Sequence, residues 1–545
     1  MKRITSLKIH VAACVLMAMT ACENKRAASG SNYSRPKIVI GMMVDQMRWD
    51  YLYKYGERYG EDGFKRLIRE GFSCENTLIS HAPTVTAIGH SSVYTGSVPA
   101  ITGIVGNGWY DRAWGRSIEN VEDTTVTAVG SKSNGNRSPR NLLTTTVGDE
   151  LRIATNYQSK VVGVSIKDRA AILPAGHTAN GAFWYDEDAN SFITSTYYMN
   201  ALPDWATKFN AVNWKDSLMH GSWNTLYPLE SYILSDKDDK SYENVFSGED
   251  KPVFPHTKPS LSNTPFGNTL TLEFAKAAIE GYKLGDGPHT DMLTVSLSSP
   301  DKIGHRFGPN SIEVEDNYLR LDKDLGEFFK YLDSRFGKDG YIFFITADHG
   351  VGHAPGYLQE HNIPGDAINE DAMKERVYAA VKAKYGTADI IQTFTNGQVY
   401  LNYEVLSKKG LDKKTVASYI AGLFSQERGL AYAVSQDDLA TAPIPERIKK
   451  MYINGCNTKR SGDIFLLRAA GWKAGSVKGA SHSEWYPYDA HIPLVWMGHG
   501  IKHGKTNRTV GMVDIAPTLA ALLQIQMPSG NIGEVITEIS NEYMK

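Results

Sequence analysis

Four apolar runs along the chain have the length and composition of buried β-strands, and each is followed by side chains that bind metal or phosphate. Apolar runs of about four to eight residues are typical of strands covered on both faces. They occupy residues 37–44, 161–166, 292–297 and 341–347. The carboxyl ends of parallel strands meet at one edge of a sheet, where open α/β folds bind ligands. The residues after the four runs are Asp45, Lys167 with Arg169, Asp301 with His305, and Asp348 with His349.

Helical spacing of apolar positions predicts a long amphipathic helix over residues 314–336, and shorter helices over 371–384 and from 514 onwards. Strands and helices together predict an α/β fold, with a mostly parallel central sheet flanked by helices. The core is expected from residues 35–180, 285–355 and 466–545. Residues 181–284 are aromatic-rich and broken by Pro, Gly and Asn, and residues 356–465 mix shorter patterns. Both segments are predicted to be insertions over the active site.

Composition narrows the class of protein and its location. The 545 residues carry a formal net charge of −2, so no nucleic-acid partner is expected. Basic residues followed by the apolar stretch 11–21 predict a secretory signal peptide over residues 1–22. Cys22 stands where a bacterial lipobox has its lipidated cysteine, although Met19 is a non-ideal residue there. Residues 23–34 predict a flexible tether, and residues 35–545 are left for the domain that the resemblance described below implies to be catalytic. The expected location is the periplasm, or the outer membrane of a Gram-negative bacterium through a lipid anchor.

The polar residues at the strand ends supply enough donors for two mixed nitrogen and oxygen metal sites. Such sites suit zinc, with three protein ligands each and one open position. Paired metals about 4 Å apart can clamp both oxygens of an in-line phosphoryl displacement. Thr86, at the predicted start of a helix, is a candidate nucleophile; the alternative is an ordinary N-cap threonine. The candidate metal ligands are Asp45, Asp301, Asp348, His305, His349 and His482.

Several short motifs occur together in an order that is specific for one superfamily. They are Val-Asp-Gln-Met-Arg at 44–48, Pro-Thr-Val-Thr at 83–86, Gly-Ile-Val-Gly-Asn at 103–107, Ser-Ile-Lys-Asp-Arg at 165–169, Asp-Lys-Ile-Gly-His at 301–305, Ala-Asp-His-Gly at 347–350, and His482 with 488–493. From residue 35 to near the C-terminus the chain resembles the alkaline phosphatase superfamily, and closely its phosphate-irrepressible PafA-type members.

The resemblance implies a role for each matched residue. One zinc ion would be bound by Asp301, His305 and His482, and a second by Asp45, Asp348 and His349. Thr86 would attack phosphorus and form a phosphothreonine intermediate. Asn107, Lys167 and Arg169 would hold the non-bridging phosphoryl oxygens. The implied protein is an exported alkaline phosphatase that hydrolyses small-molecule phosphate monoesters at a two-zinc site, with a monomer favoured.

Two rival functions remain open at this stage. A phosphodiesterase or nucleotide pyrophosphatase would use the same scaffold, and a non-enzymatic phosphate- or glycan-binding lipoprotein would keep only a relic site. Lys167 and Arg169, expected at positions i and i+2 of an extended segment, favour monoesters, because a diester has one charged oxygen fewer. A sulfatase is disfavoured because residues 86–90, Thr-Ala-Ile-Gly-His, lack the motif from which formylglycine is made.

Other polar residues are expected to lie outside the chemistry. His90, one helical turn after Thr86, is expected to pack or cap, and His353 and His361 to lie at the surface. Asp489 and His491 are expected to support the ligands indirectly. A disulfide between Cys74 and Cys456 stays open, since the sequence cannot establish it.

Overall fold

The computed structural model describes residues 35–540. The predicted signal peptide, the tether and Cys22 lie outside the described residues. The strands are β1 Ile38–Val44, β2 Phe72–Leu78, β3 Gly108–Asp111, β4 Arg116–Glu119, β5 Ala128–Val129, β6 Val161–Ser165, β7 Gly181–Asp186, β8 Ser191–Ser195, β9 Asp291–Leu297, β10 Tyr341–Thr346, β11 Asp366–Ile368, β12 Ile391–Thr395, β13 Gln398–Leu401, β14 Leu430–Ser435, β15 Ile464–Arg468, β16 Trp472–Ala474, β17 His491–Ile492, β18 Leu494–Gly498 and β19 Gly504–Gly511.

The α-helices surround the central sheet and fill the two long connections. They are α1 Tyr51–Lys54, α2 Phe64–Glu70, α3 Thr86–Thr95, α4 Pro99–Thr102, α5 Val147–Ala154, α6 Asp168–Ala175, α7 Asp204–Asn210, α8 Trp214–Met219, α9 Phe266–Tyr282, α10 Ser299–Phe307, α11 Ile312–Phe336, α12 Pro355–Glu360, α13 Glu370–Tyr385, α14 Tyr403–Lys408, α15 Lys413–Phe424, α16 Glu446–Asn454, α17 Pro487–Ala490, α18 Ile515–Leu523 and α19 Thr537–Ser540.

The central sheet confirms the predicted α/β class. Its strand order is β17-β2-β18-β10-β1-β9-β6-β7-β8-β5, and β19 pairs with β2. Five neighbouring strands, β10, β1, β9, β6 and β7, run parallel. Every residue of β1, β6, β9 and β10 is buried, as the apolar runs predict. The four strands with polar residues at their carboxyl ends are therefore adjacent in the order β10-β1-β9-β6.

Two predicted helices are confirmed with slightly longer bounds. α11 begins two residues before the predicted range, where the Ser311 side chain accepts a hydrogen bond from the Val314 N–H. Its apolar stripe is buried against the sheet and neighbouring helices. The pattern at 371–384 corresponds to α13, capped in the same way by the Asn369 side chain.

The predicted insertion at 181–284 includes parts of the core. Strands β7 and β8 extend the central sheet, and α9 packs against β9 and β6. The aromatic run 183–185, interpreted as insertion, is a buried strand that pairs with β6. Only residues between β8 and α9, roughly 196–265, lie outside the sheet and its covering helix. Both predicted boundaries of this insertion are therefore wrong.

The second predicted insertion folds around a hydrophobic cluster of its own. Its four-stranded sheet has the order β12-β13-β15-β14, and α13 and α15 pack in the same cluster. β15 ends at Arg468, so the insertion continues beyond the predicted boundary at 465. At the tip of the β12–β13 hairpin, Asn396 Nδ2 donates to the Gly108 carbonyl at 2.7 Å. This contact holds the hairpin against the turn that follows Asn107.

The helices and the two described cysteines bear on membrane insertion and on disulfide formation. In the described range 35–540, no helix combines the length and apolarity that a membrane crossing requires. Cys74 and Cys456 are both free thiols, so the disulfide left open by the sequence is absent from the structure.

Candidate active site

The candidate ligands converge at the carboxyl edge of the central sheet. Asp45 follows β1 directly, and its backbone N–H donates to the Leu297 carbonyl at the end of β9 at 3.0 Å. Asp348 and His349 follow β10 on the other side of β1. The carboxylates of Asp45, Asp301 and Asp348, which follow the adjacent strands β1, β9 and β10, thus lie at the same edge of the sheet, as the strand-end pattern predicts.

One group of donors comprises Asp301, His305 and His482. Asp301 and His305 lie in α10, four residues apart, and therefore on one helical face. His482 comes from the loop between β16 and α17. Its Nδ1 donates to the Thr84 carbonyl at 2.7 Å, which ties this loop to the segment before Thr86.

The three candidate histidine ligands share one hydrogen-bonding arrangement. Nδ1 of His305 donates to the Ala480 carbonyl at 2.9 Å, and Nδ1 of His349 to the Gly350 carbonyl at 2.9 Å. His482 does the same with Thr84. A carbonyl oxygen can only accept, so in a neutral imidazole the proton sits on Nδ1 and Nε2 keeps its lone pair. All three Nε2 atoms are thus prepared as metal ligands.

Distances within the first group fit a tetrahedral metal. Nε2 of His305 lies 3.1 Å from Asp301 Oδ1 and 3.2 Å from His482 Nε2. His482 Nε2 lies 3.7 Å from the same Asp301 oxygen. Donors about 2.0–2.1 Å from a tetrahedral zinc ion are about 3.3 Å apart. The His305 side chain is 39% exposed, so this group faces the solvent side of the site.

The second group lies deeper. Asp45 Oδ1, Asp348 Oδ2 and His349 Nε2 are fully buried without a hydrogen-bond partner. His349 Nε2 is 3.6 Å from Asp45 Oδ1 and 3.4 Å from Asp348 Oδ2. Among the described residues, the donor atoms of Asp45, His349 and Asp301 all lie within 4.8 Å of one another, so Asp301 reaches both groups. Buried polar atoms without partners are rare and costly, and carboxylate oxygens and an imidazole nitrogen in this state are suitable ligands for a cation.

Electrostatics of the carboxylates lead to the same conclusion. Burial and the neighbouring Asp301 and Asp348 raise the pKa of Asp45 well above its usual range. Burial also opposes ionisation of Asp301, but His305 and Lys167 hold the pKa of that carboxyl well below its usual range. The cluster needs more positive charge before all three carboxylates can be ionised. The nitrogen and oxygen donor set fits zinc.

Thr86 is the first residue of α3, the helix that packs against Asp348 of the second group. The N-cap is Val85, in an extended conformation, so the alternative of an N-cap threonine is wrong. Thr86 is 1% exposed. α3 packs directly on the metal-ligand loop: a Cβ at Gly89 would lie 2.4 Å from the Asp348 carbonyl oxygen. Only glycine permits this approach.

Asn107 and Lys167 reach the same place from two other elements. The Asn107 Oδ1 accepts a hydrogen bond from the Ala87 N–H at 3.0 Å, which leaves its NH₂ group available to a ligand. Nζ of Lys167 lies 2.6 Å from Asp45 Oδ2 and 2.5 Å from Asp301 Oδ2, between the two donor groups. Lys167 is therefore next to any phosphoryl group held at this edge.

Arg169 differs from the prediction. Lys167 is the extended N-cap of α6, which begins at Asp168, so Lys167 and Arg169 are not at i and i+2 of one extended segment. The strand ends at Ser165, and the acidic Asp168 favours the first turn of a helix. The guanidinium lies 3.7 Å from Asp168, and its Nε is buried without a partner. Arg169 keeps donors free for an anion.

Residues expected outside the chemistry are placed as follows. His90 contacts the Thr86 carbonyl through Nδ1 and Ser296 through Nε2, so both ring nitrogens are already engaged. His361 is exposed, but His353 is half-buried, 2.9 Å from Asn310 and stacked on Tyr357, so its surface prediction is wrong.

Asp489 lies in the short helix α17, and His491 is the first residue of β17, at the end of the central sheet. Asp489 Oδ2 accepts a hydrogen bond from the Glu484 N–H at 2.9 Å, which holds the loop that carries His482. His491 contacts the Glu75 carbonyl through Nε2 at 2.8 Å and stacks on Trp49.

Gln46 was missed by the sequence analysis. It is buried, has a left-handed backbone with φ of 67°, and contacts ligands of both groups. Its side chain donates to Asp301 Oδ1 at 2.6 Å and its backbone N–H to Asp348 Oδ1 at 3.1 Å. It lies in the motif Val-Asp-Gln-Met-Arg at 44–48, but its contacts over 255 and 302 positions leave no local pattern that would assign it a role.

The fold and the two donor groups at the carboxyl edge of its sheet are those of a hydrolase with an α/β fold and candidate metal-binding residues. The chain belongs to the type I phosphodiesterase / nucleotide pyrophosphatase family, whose model matches residues 39–490. It is similar to alkaline phosphatase PafA of Elizabethkingia meningoseptica, with 50% identity over 93% of this chain and 94% of the relative. It is also similar to alkaline phosphatase PhoV of Synechococcus elongatus, with 48% identity over 96% and 98%.

A solved structure matches the whole architecture. The crystal structure of wild-type alkaline phosphatase PafA superimposes with a TM-score of 0.91 at 49% identity, over 93% of this chain and 99% of that chain. The predicted resemblance to PafA-type alkaline phosphatases is thereby confirmed.

Proposed function

We propose that this protein is an alkaline phosphatase that hydrolyses phosphate monoesters through a phosphothreonine intermediate at a two-zinc site. The observation that carries this proposal is the convergence of two donor groups on Lys167, at the edge against which the helix that begins with Thr86 packs. Relatives that match almost their entire length bear the name alkaline phosphatase, which supports the same activity.

The protein's own residues would bind and orient the ester. Asn107 Nδ2, Lys167 and Arg169 donate to the non-bridging oxygens, and Thr86 Oγ1 attacks phosphorus in line with the leaving oxygen. Bound zinc would supply the positive charge that favours ionisation of the Thr86 hydroxyl and of the hydrolytic water, and that stabilises the leaving oxygen. Water then cleaves the phosphothreonine, which releases inorganic phosphate and restores Thr86.

Charge balance favours monoesters over diesters. Three carboxylates and one alkoxide carry four negative charges, which two Zn²⁺ ions neutralise. A monoester dianion then requires further positive charge, and Lys167 and Arg169 carry it. A diester has one charged oxygen fewer and gains less from this pair. The family description keeps phosphodiesterase or nucleotide pyrophosphatase as the second candidate.

The test is a steady-state comparison of an aryl phosphate, an aryl phosphodiester and an aryl sulfate on zinc-loaded protein. We expect the largest kcat/KM for the monoester, about two zinc ions per chain by elemental analysis, and loss of activity on prolonged chelation that added zinc restores. A higher kcat/KM for the diester would favour the second candidate. Full activity in metal-free protein would contradict the two-zinc centre.

We further propose that the protein is exported and acts as a monomer outside the cytoplasm. Every donor of the site comes from one chain, so no second copy is needed to complete it. Residues 1–22 have the composition of a signal peptide, and Cys22 is the proposed point of lipid attachment. Labelled lipid should attach to the protein expressed with its own leader, and not to Cys22→Ser. Purely cytosolic activity would contradict export.

A further inference from the structure

We propose that Gln46 is the positioning residue that fixes the metal-facing oxygens of both donor groups, an inference that rests on the proposed two-zinc function. Gln46 is 2% exposed and lies between Asp301 and Asp348. Its side-chain Nε2 donates to Asp301 Oδ1 at 2.6 Å, and its backbone N–H donates to Asp348 Oδ1 at 3.1 Å. One residue thus contacts a carboxylate of each group.

The bond to Asp301 falls on the oxygen that faces the histidines. Asp301 Oδ1 is the atom near His305 Nε2 and His482 Nε2, whereas Oδ2 is bound by Lys167. A carboxylate oxygen has two lone pairs, so the Gln46 amide takes one and leaves the other for a metal. Without this bond the Asp301 carboxyl can rotate about its Cβ–Cγ bond. Its Oδ1 atom would then no longer be held at a fixed position relative to His305 Nε2 and His482 Nε2.

The bond to Asp348 acts through the opposite oxygen. Asp348 Oδ1 accepts the N–H groups of Gln46 and His349, which leaves Oδ2 buried, without a hydrogen-bond partner, and 3.4 Å from both His349 Nε2 and His90 Nδ1. Pinning Oδ1 therefore aims Oδ2. The left-handed backbone of Gln46 makes both contacts compatible, since it turns the N–H toward Asp348 while the side chain reaches Asp301. Such a conformation is unfavourable for a residue with a side chain and is typical of functional sites.

Gly304 forms the space in which the Gln46 amide sits. A Cβ at position 304 would lie 1.9 Å from Gln46 Oε1. Any larger residue at this position would therefore displace the Gln46 amide from Asp301. This gives a second way to break the same contact without changing Gln46. Alanine is also a better helix former than glycine, so Gly304→Ala should not weaken α10 itself.

The experiment measures zinc affinity with zinc ion alone, in graded zinc buffers, by elemental analysis of the equilibrated protein. Gln46→Gly removes the amide and tolerates the left-handed backbone, and Gln46→Met keeps a similar length but cannot donate. Gln524→Gly is the matched control, because Gln524 is an exposed glutamine that also has a left-handed backbone, with φ of 52°. Thermal melting of each variant monitors the fold.

We expect Gln46→Gly, Gln46→Met and Gly304→Ala to bind zinc at the group of Asp301, His305 and His482 about 10- to 100-fold more weakly, because each loses the side-chain bond to Asp301. The group that contains Asp348 should keep its wild-type affinity, because the backbone N–H of residue 46 still donates to Asp348 Oδ1. Gln524→Gly should retain both affinities. Combined with His305→Ala, Gln46→Gly should cause little further loss, because the two changes act on the same donor group.

Two results would overturn the inference. If wild-type protein binds two zinc ions and Gln46→Gly binds both with the same affinities, Gln46 does not position the ligands, although the proposed function stands. If wild-type protein binds no zinc, the proposed two-zinc function fails and this inference fails with it.

Discussion

The Asn107 amide oxygen accepts the Ala87 N–H at 3.0 Å, at the first turn of the helix that begins with Thr86. This bond engages the amide oxygen and leaves the NH₂ group of Asn107 available to a ligand. The turn is itself fixed, because the Asn107 carbonyl accepts the Asn120 Nδ2 at 2.6 Å. The candidate nucleophile and a candidate oxyanion donor are therefore positioned as one unit.

Asn107→Ala should lower kcat/KM for an aryl phosphate by about 10- to 150-fold. A hydrogen bond to a charged oxygen is worth about 1.5–3 kcal/mol, and about 1.4 kcal/mol is a factor of ten. Asn107→Asp should lose more, because its carboxylate keeps the bond from Ala87 but repels the phosphoryl group. If Asn107→Ala kept the wild-type kcat/KM and zinc content, Asn107 would not bind the substrate.

Thr86→Ala should abolish most turnover while thermal melting and zinc content stay at wild-type values, since the Thr86 side chain contributes only a hydroxyl and a methyl group to the packing. Thr86→Ser keeps the hydroxyl and should retain substantial activity. Mass spectrometry of acid-quenched reactions should find phosphate on residue 86 in wild-type protein. If Thr86→Ala kept the wild-type kcat, water or another residue would be the nucleophile.

Lys167→Ala and Arg169→Ala should each cost about 10- to 150-fold in kcat/KM for the monoester and much less for the diester, because the dianion depends more on charge-assisted bonds. Measuring both esters cancels general damage to the site. Lys302→Ala is the matched control: Lys302 follows Asp301, but its Nζ contacts Glu187 and Ser262, both at 2.7 Å. Equal losses for both esters would contradict a phosphate-binding role.

Glu243 gives a prediction about stability and pH away from the active site. Its carboxylate is buried and both oxygens lack hydrogen-bond partners. Burial and the nearby Glu313 raise the pKa of Glu243 to about 10. A carboxyl whose pKa is raised by folding stabilises the protein below its unfolded pKa, about 4.3, and this stability is lost progressively as pH rises toward 10.

Glu243→Gln removes this loss, so its free energy of unfolding relative to wild type should rise from pH 6 to pH 9, by at most about 1.4 kcal/mol per pH unit. Urea unfolding of zinc-saturated protein at pH 6, 7.5 and 9 measures the difference. Glu230→Gln, at an exposed position, controls for the substitution itself. If the free energy of unfolding of Glu243→Gln and of wild type changed with pH in parallel, folding would not change the pKa of Glu243.

The sequence predicts most strongly what is local. Buried apolar runs such as β1 predict strands. A candidate metal-binding side chain directly after such a strand, such as Asp45, must lie at the carboxyl edge of the sheet. Asp301 and His305 share a helical face because they are four residues apart. The apolar period of α11 fixes its length to within two residues.

What the sequence could not predict depends on long-range packing. His482 is positioned by Thr84, 398 positions away, and no periodicity encodes that contact. The aromatic run 183–185 is compatible with an insertion in sequence, and no local pattern shows that it pairs with β6 in the central sheet. Arg169 was misplaced because a helix start and a strand end are equally compatible with Ser-Ile-Lys-Asp-Arg.

The hydrogen bond between His482 and Thr84 has a consequence for how the protein matures. The group of Asp301, His305 and His482 needs a loop near the C-terminus, so a growing chain cannot complete it until nearly all of the chain has been synthesised. Metal affinity at this group should therefore appear late and abruptly, with the tertiary fold. A chain secreted in an unfolded state would cross the membrane without its metals and acquire them only at its destination, where local zinc supply would set the yield of active enzyme.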